Sequence, residues 1–161
     1  MVQGQEELDI FYLNNDPWGF KSNPEDIKRK DIILGEIKHR YKRALDLGCG
    51  EGWITKDINA DEIHGYELSN LARSRCPSNI NTTINPFGYY DLVLACGIMY
   101  KHYDYKGFLS IINNHASKTV ITCNISSWEV EEVKSIGKQI KTLEFPYREY
   151  TQRLRVFEIT S

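Results

Sequence analysis

The sequence predicts an α/β fold, and three features carry that prediction. Ala44-Leu45-Asp46-Leu47 is a short apolar run of buried-strand length. Gly48, Gly50 and Gly52 follow at alternate positions, and Trp53, Ile54 and Ile58 then suit one face of a short helix. Strand, glycine turn and helix make the first crossover of a nucleotide-binding α/β sheet, with the ligand outside the carboxyl end of the strand. Second, the chain beyond it alternates short strand-like runs with helix-like ones. Third, it closes on two consecutive strands, 140–145 and 151–159, the latter alternating polar and apolar residues as a strand with one wet face does. A glycine-rich hairpin or plain loop at 48–52 is the competing reading; the downstream pattern speaks against it.

In chain order, residues 1–10 read as a loose start. The segment Phe11–Phe20 is turn-rich and carries four aromatic residues, Phe11, Tyr12, Trp18 and Phe20. Two readings stay open for it: a hydrophobic arm packed on the domain, or a cover over a ligand site built by Tyr12, Trp18 and Phe20. Ser22 or Asn23 caps a helix, with Pro24 in its first turn and Glu25 and Asp26 beside the positive end of its dipole. That helix is expected to run to about His39, with Ile27 on its apolar side and Lys28-Arg29-Lys30 as a solvated face. After the glycines come a strand at 62–67, a helix capped by Ser69 and ended by Pro77, and a brief β-branched strand at 81–84. Further strands are expected at 90–96 and 118–125, a helix around Phe108–Ile112 between them, and a helix from Ser126 or Ser127 through Ile136. His115 reads as a helix cap.

The 161 residues fit one domain, with 1–40 as an arm and helix over the site and 41–161 as the sheet core. A net charge of −2 gives no electrostatic case for holding a nucleic acid. Cys49, Cys76, Cys96 and Cys123 lack metal-ligand spacing and read as structural thiols of a cytoplasmic protein. No secretory leader and no run long enough to span a membrane is visible.

The glycine spacing narrows the ligand. A dinucleotide loop wants G-x-G-x-x-G; here the third glycine comes one residue early, and Trp53 stands where a small residue is needed. Asp46, just ahead of the glycines, would meet a pyrophosphate badly but suits a cofactor carrying a cationic amine. Glu67, about 20 residues beyond Asp46, sits where a carboxylate takes a ribose diol in such sheets. His102, the side-chain type best suited to proton transfer near neutral pH, is the best general-base candidate, with Tyr100 beside it; Tyr100 and Tyr103 could equally shape an acceptor pocket. The competing reading of 99–105 is a surface loop with incidental polar residues.

Asp46-x-Gly48-x-Gly50-x-Gly52 resembles the first motif of the class I S-adenosylmethionine-dependent methyltransferases. Asp16-Pro17-Trp18-Gly19 is similar to the N-terminal segment of their NodS-like group, which modifies amino sugars and other small molecules. The resemblance implies a Rossmann-like, mostly parallel seven-stranded sheet with an antiparallel last strand and helices on both faces. It also implies S-adenosylmethionine as cofactor, S-adenosylhomocysteine as product, and methyl transfer to an amine or hydroxyl of a small-molecule acceptor. The cofactor would be held by Asp46, Gly48, Cys49, Gly50, Gly52 and Trp53, by Glu67 and Leu68, and by Cys96, under Tyr12 and Trp18. Asn85, Pro86 and Phe87 would flank its adenine, Asn85 standing where the family usually carries an aspartate. Asn85-Pro86-Phe87 also resembles the motif of methyltransferases acting on DNA bases, but it precedes the fourth strand instead of following it, which argues against such an activity. A non-catalytic, methyltransferase-like module acting through a partner protein is the alternative.

Overall fold

The computed structural model describes residues 4–14 and 16–160; Met1–Gln3, Asn15 and Ser161 of the arm and of the expected 1–161 domain lie outside them. Seven strands form one sheet: β1 (Tyr41–Leu47), β2 (Ala60–Tyr66), β3 (Ile80–Thr83), β4 (Tyr90–Cys96), β5 (Ala116–Ile125), β6 (Lys138–Tyr147) and β7 (Tyr150–Glu158), ordered β3-β2-β1-β4-β5-β7-β6. Strands β1 to β5 pair in parallel, and β7 runs antiparallel to both β5 and β6. Only the last strand is therefore reversed, as the resemblance implies.

Alternation along the central strands sends side chains to two cores. Ala44, Leu92 and Leu94 point to one face, covered by Ile33 of the helix α2 (Pro24–Gly35). Leu45, Leu47, Val93 and Ala95 point to the other, covered by Ile112 of the helix α4 (Tyr105–His115). Fully buried side chains such as Leu45, Leu92 and Phe157 each stabilise the fold by roughly 1.5–3 kcal/mol.

Several elements depart from the sequence expectation. The start of the chain is not loose over its described part: Gln5–Phe11 forms a helix, α1. Asp9 pins it, its Oδ1 accepting from Ser69 Oγ at 2.6 Å and Leu71 N at 3.3 Å. Helix α2 stops at Gly35, short of His39, at the residue type that favours helix ends. Its face is also turned: Asp26, Arg29 and Ile33 are the buried residues and Ile27 is outside. After the glycines only a 3-10 turn, Thr55–Asp57, forms, because Ile58 is already extended. The helix expected over 126–136 is a turn and a 3-10 segment, Glu131–Ser135, broken by extended Val130 and by a bridge between Tyr100 and Glu129. Helix α4 starts earlier than expected, where Asp104 accepts from Gly107 N. Ser69 caps the short helix α3 (Asn70–Ser74) as expected. His115, the last residue of α4, places Nδ1 2.7 Å from Gly88 O and away from the site.

Candidate functional site

The carboxyl ends of β1, β2 and β4 open onto a cavity of about 690 Å³. Its floor is the glycine turn, held because Gly48 N and Cys49 N both donate to Tyr66 O, at 2.8 and 3.1 Å. Gly50 and Gly52 have φ of 58° and 83°, which favour glycine. A Cβ on Gly50 would stand 2.8 Å from Tyr12 Oη, and one on Gly52 2.5 Å from Ile80 Cδ1. The bare backbone thus forms a cradle closed from above by the arm and from behind by β3.

Two buried carboxylates face this cradle. Asp46 is 6% exposed, and its Oδ2 accepts from Thr55 Oγ1 at 2.7 Å. Burial pushes its carboxyl from the ordinary 3.8 up to about 7, despite the Thr55 hydrogen bond and the charge of Arg29. Glu67 follows β2 directly, Oε1 accepting from Gly50 N at 3.0 Å and Oε2 from Ser69 N at 2.9 Å. Burial raises its pKa as well, opposed by those backbone donors. Each oxygen keeps a second lone pair, so Glu67 can tie the cradle to β2 and still accept from a diol.

Sequence reasoning missed Arg29. The run Lys28-Arg29-Lys30 looked like a solvated face, yet only Lys28 lies in solvent. Lys30 pairs with Asp57 at 2.6 Å and stands 4.8 Å over the Trp53 ring. Arg29 is 7% exposed and borders the cavity. Its Nη2 donates to Cys123 O at 3.4 Å, while its Nε has no partner. A buried guanidinium with an orphaned nitrogen is costly unless an anion completes it. The signal was present in the spacing: Asp26, Arg29 and Ile33 fall on one helical stripe. Asp26 uses that stripe to receive Tyr147 Oη at 2.5 Å and Arg148 Nη2 at 2.7 Å from the β6–β7 hairpin.

The arm covers the mouth. Trp18 Nε1 donates to Tyr12 Oη at 3.1 Å. The Phe11, Trp18, Phe20 and Trp53 rings follow one another with centroids 4.4, 6.1 and 5.4 Å apart. The arm thus packs on the domain and also borders the cavity. Burial and the neighbouring Glu67 push the Tyr12 hydroxyl well above the ordinary tyrosine value.

On the β4–β5 side the wall is aromatic. Tyr100 is buried, and its Oη accepts from Ile125 N at 2.7 Å, so this hydroxyl anchors the end of β5. Burial raises its pKa. His102 is exposed at the rim, stacked on Tyr100 at 5.5 Å and beside Tyr103 at 4.4 Å. The Cys96 thiol borders the cavity and is pushed up by burial.

Every predicted cofactor residue except three borders the cavity, together with Tyr100 and His102. The three are Asn85, Pro86 and Phe87, which the structure leaves outside it. No helix fills the connection from β3 to β4; Ile84–Tyr89 crosses straight to the start of β4. Asn85 is exposed, and Phe87 lies against Arg43 near the opposite end of the sheet, its carbonyl accepting from Arg43 Nη1. These three residues, expected beside the adenine, thus lie apart from the other expected cofactor residues. Leu68, which borders the cavity beside Leu8, remains on that side.

No family model matches the sequence, and no curated protein matches it. Among solved structures, the chain is similar to the N-methyltransferase NodS from Bradyrhizobium japonicum WM9 in complex with S-adenosyl-l-homocysteine, with a TM-score of 0.77 and 15% identity over 98% of each chain. It is similar to magnesium protoporphyrin IX methyltransferase from Synechocystis PCC 6803 with bound SAM, with a TM-score of 0.72 and 12% identity over 99% of each chain. A third is 1,6-didemethyltoxoflavin-N1-methyltransferase from Burkholderia thailandensis, with a TM-score of 0.71 and 11% identity over 98% of this chain and 87% of that one. The chain has the Rossmann-like fold of the class I methyltransferases.

Proposed function

We propose that the protein binds S-adenosylmethionine and transfers its methyl group to an amine or hydroxyl of a ring-bearing small molecule such as a sugar. One observation carries this reading: Asp46 and Arg29, both buried, border the same cavity at the glycine cradle. An ammonium and a carboxylate on one carbon, the amino-acid end of the cofactor, would satisfy that pair of opposite charges. Asp46 would take the ammonium and the orphaned side of Arg29 the carboxylate. Glu67 would receive the ribose hydroxyls, and Leu8 and Leu68 would border the base. The fold shared with methyltransferases supports the same arrangement.

The bound cofactor supplies an electrophilic methyl on sulfonium. The chain's contribution is to hold the acceptor in line with it in a pocket walled by aromatic rings, positioning that supplies much of the rate. Tyr103, Trp128 and His102 offer flat faces to a ring. His102, at the rim, would take the proton an amine or hydroxyl releases. Tyr100, with its hydroxyl spent on Ile125, serves as wall. The small net charge gives no electrostatic case for a nucleic-acid acceptor.

Calorimetric titration with S-adenosylmethionine, S-adenosylhomocysteine and NAD tests the reading. Micromolar binding of the first two and none of the third is expected. Binding of NAD alone, or of none, would overturn it.

A further inference from the structure

We infer that Cys49 and Cys76 form a redox modification site, a paired dithiol that a peroxide converts to a disulfide within the glycine cradle. Cys49 is part of the cradle and Cys76 lies just beyond α3. Both thiols converge on one carbonyl oxygen, Gly50 O, at 3.6 and 3.3 Å. A glycine seats the Cys49 sulfur, since a Cβ on Gly65 would stand 2.7 Å from Cys49 Sγ. The pair is also divided in access, Cys49 buried and Cys76 only partly so.

The chemistry follows from that division. The neighbouring Cys49 thiol holds the Cys76 thiol below the ordinary cysteine value, whereas burial pushes the Cys96 and Cys123 thiols up and leaves them inert. The Cys76 thiolate attacks one oxygen of hydrogen peroxide, the O–O bond breaks, and the departing hydroxide takes a proton to leave as water. The resulting sulfenic acid is attacked by the Cys49 sulfur, which loses its proton, and a second water departs. Two thiols are oxidised by two electrons and one peroxide is reduced to two waters.

A disulfide brings its sulfurs to about 2.0 Å, closer than any unbonded contact. Either the cradle or the end of α3 must move, and Gly50 O loses both sulfur donors. Gly50 N is the donor that ties Glu67 to the cradle. Oxidation is therefore expected to weaken cofactor binding at least tenfold, a consequence that rests on the function proposed above; the disulfide itself does not.

The test uses full-length protein, wild type and Cys76→Ser, treated with hydrogen peroxide. Mass spectrometry of non-reduced peptides should show a Cys49–Cys76 cross-link that dithiothreitol reverses, with Cys96 and Cys123 still free. Peroxide that leaves all four thiols intact, drives Cys76 to sulfinic acid without a cross-link, or links other pairs would overturn the site. Calorimetry with S-adenosylhomocysteine reads the consequence. Reduced wild type and Cys76→Ser should bind alike, with peroxide weakening only the wild type. Equal affinity of reduced and oxidised wild type would overturn the effect on binding. A cross-link in a protein that binds no S-adenosylhomocysteine even when reduced would sustain the modification site and refute the proposed function.

Discussion

Replacing Asp46 by Asn should stabilise the free protein and destroy its cofactor site. The Asp46 carboxyl is 6% exposed, and burial raises it from 3.8 to about 7. The gap corresponds to roughly 4 kcal/mol, an upper bound on what ionising this group costs the folded state. Below pH 3.8 the carboxyl is protonated folded or unfolded, and the stability it contributes is fully present. As pH rises towards about 7 the unfolded chain releases the proton while the folded one keeps it, so stability falls; above about 7 the loss is complete. Asp46→Asn lacks this slope and retains an oxygen for Thr55. Urea melts of both proteins from pH 4 to 8 should show the variant gaining up to about 4 kcal/mol on wild type as pH rises. A cationic ammonium reverses the preference by favouring the carboxylate. Binding of S-adenosylhomocysteine at pH 6 should therefore release about one proton, measured by calorimetry in buffers of different ionisation enthalpy. Affinity should rise with pH up to about 7 and then level off. A flat stability difference between the two proteins, with pH-independent affinity, would refute the assignment.

Arg29→Met removes the proposed carboxylate partner and should weaken S-adenosylhomocysteine by about 30-fold or more, from roughly 2 kcal/mol or more for a buried charge pair. Adenosine, which lacks the amino-acid end, should bind both proteins alike; an equal loss for adenosine would make Arg29 merely structural. Gly52→Ala places a methyl 2.5 Å from Ile80 Cδ1 at a φ of 83°, and should cost about 2–4 kcal/mol in urea unfolding; a change under 1 kcal/mol would show the loop re-forming cheaply. His102→Ala should slow methyl transfer about 100-fold at unchanged cofactor affinity. Unchanged turnover would leave His102 as part of the rim wall.

What the sequence determined by itself was local or periodic. The apolar run into Gly48, Gly50 and Gly52 is a statement about backbone freedom, which these residues carry wherever they sit. The caps Asn23 and Ser69 act on amides two or three residues away, whereas the wet face expected for 151–159 is closed in the fold, where Leu154, Arg155, Val156 and Phe157 are all buried on a strand lying between β5 and β6. What only the tertiary structure decided depended on partners distant in the chain. Arg29 reads as a wet-face cation until Cys123, many residues later, supplies the neighbour that shows it buried. Phe87 reads as an adenine neighbour until the helix-free crossover carries it to Arg43. The expected helices after Gly52 and Ser126 were lost to contacts made by Thr55 with Asp46 and by Glu129 with Tyr100. The first of these contacts is a side-chain hydrogen bond and the second a backbone bridge, and propensity along the chain does not show which partner wins.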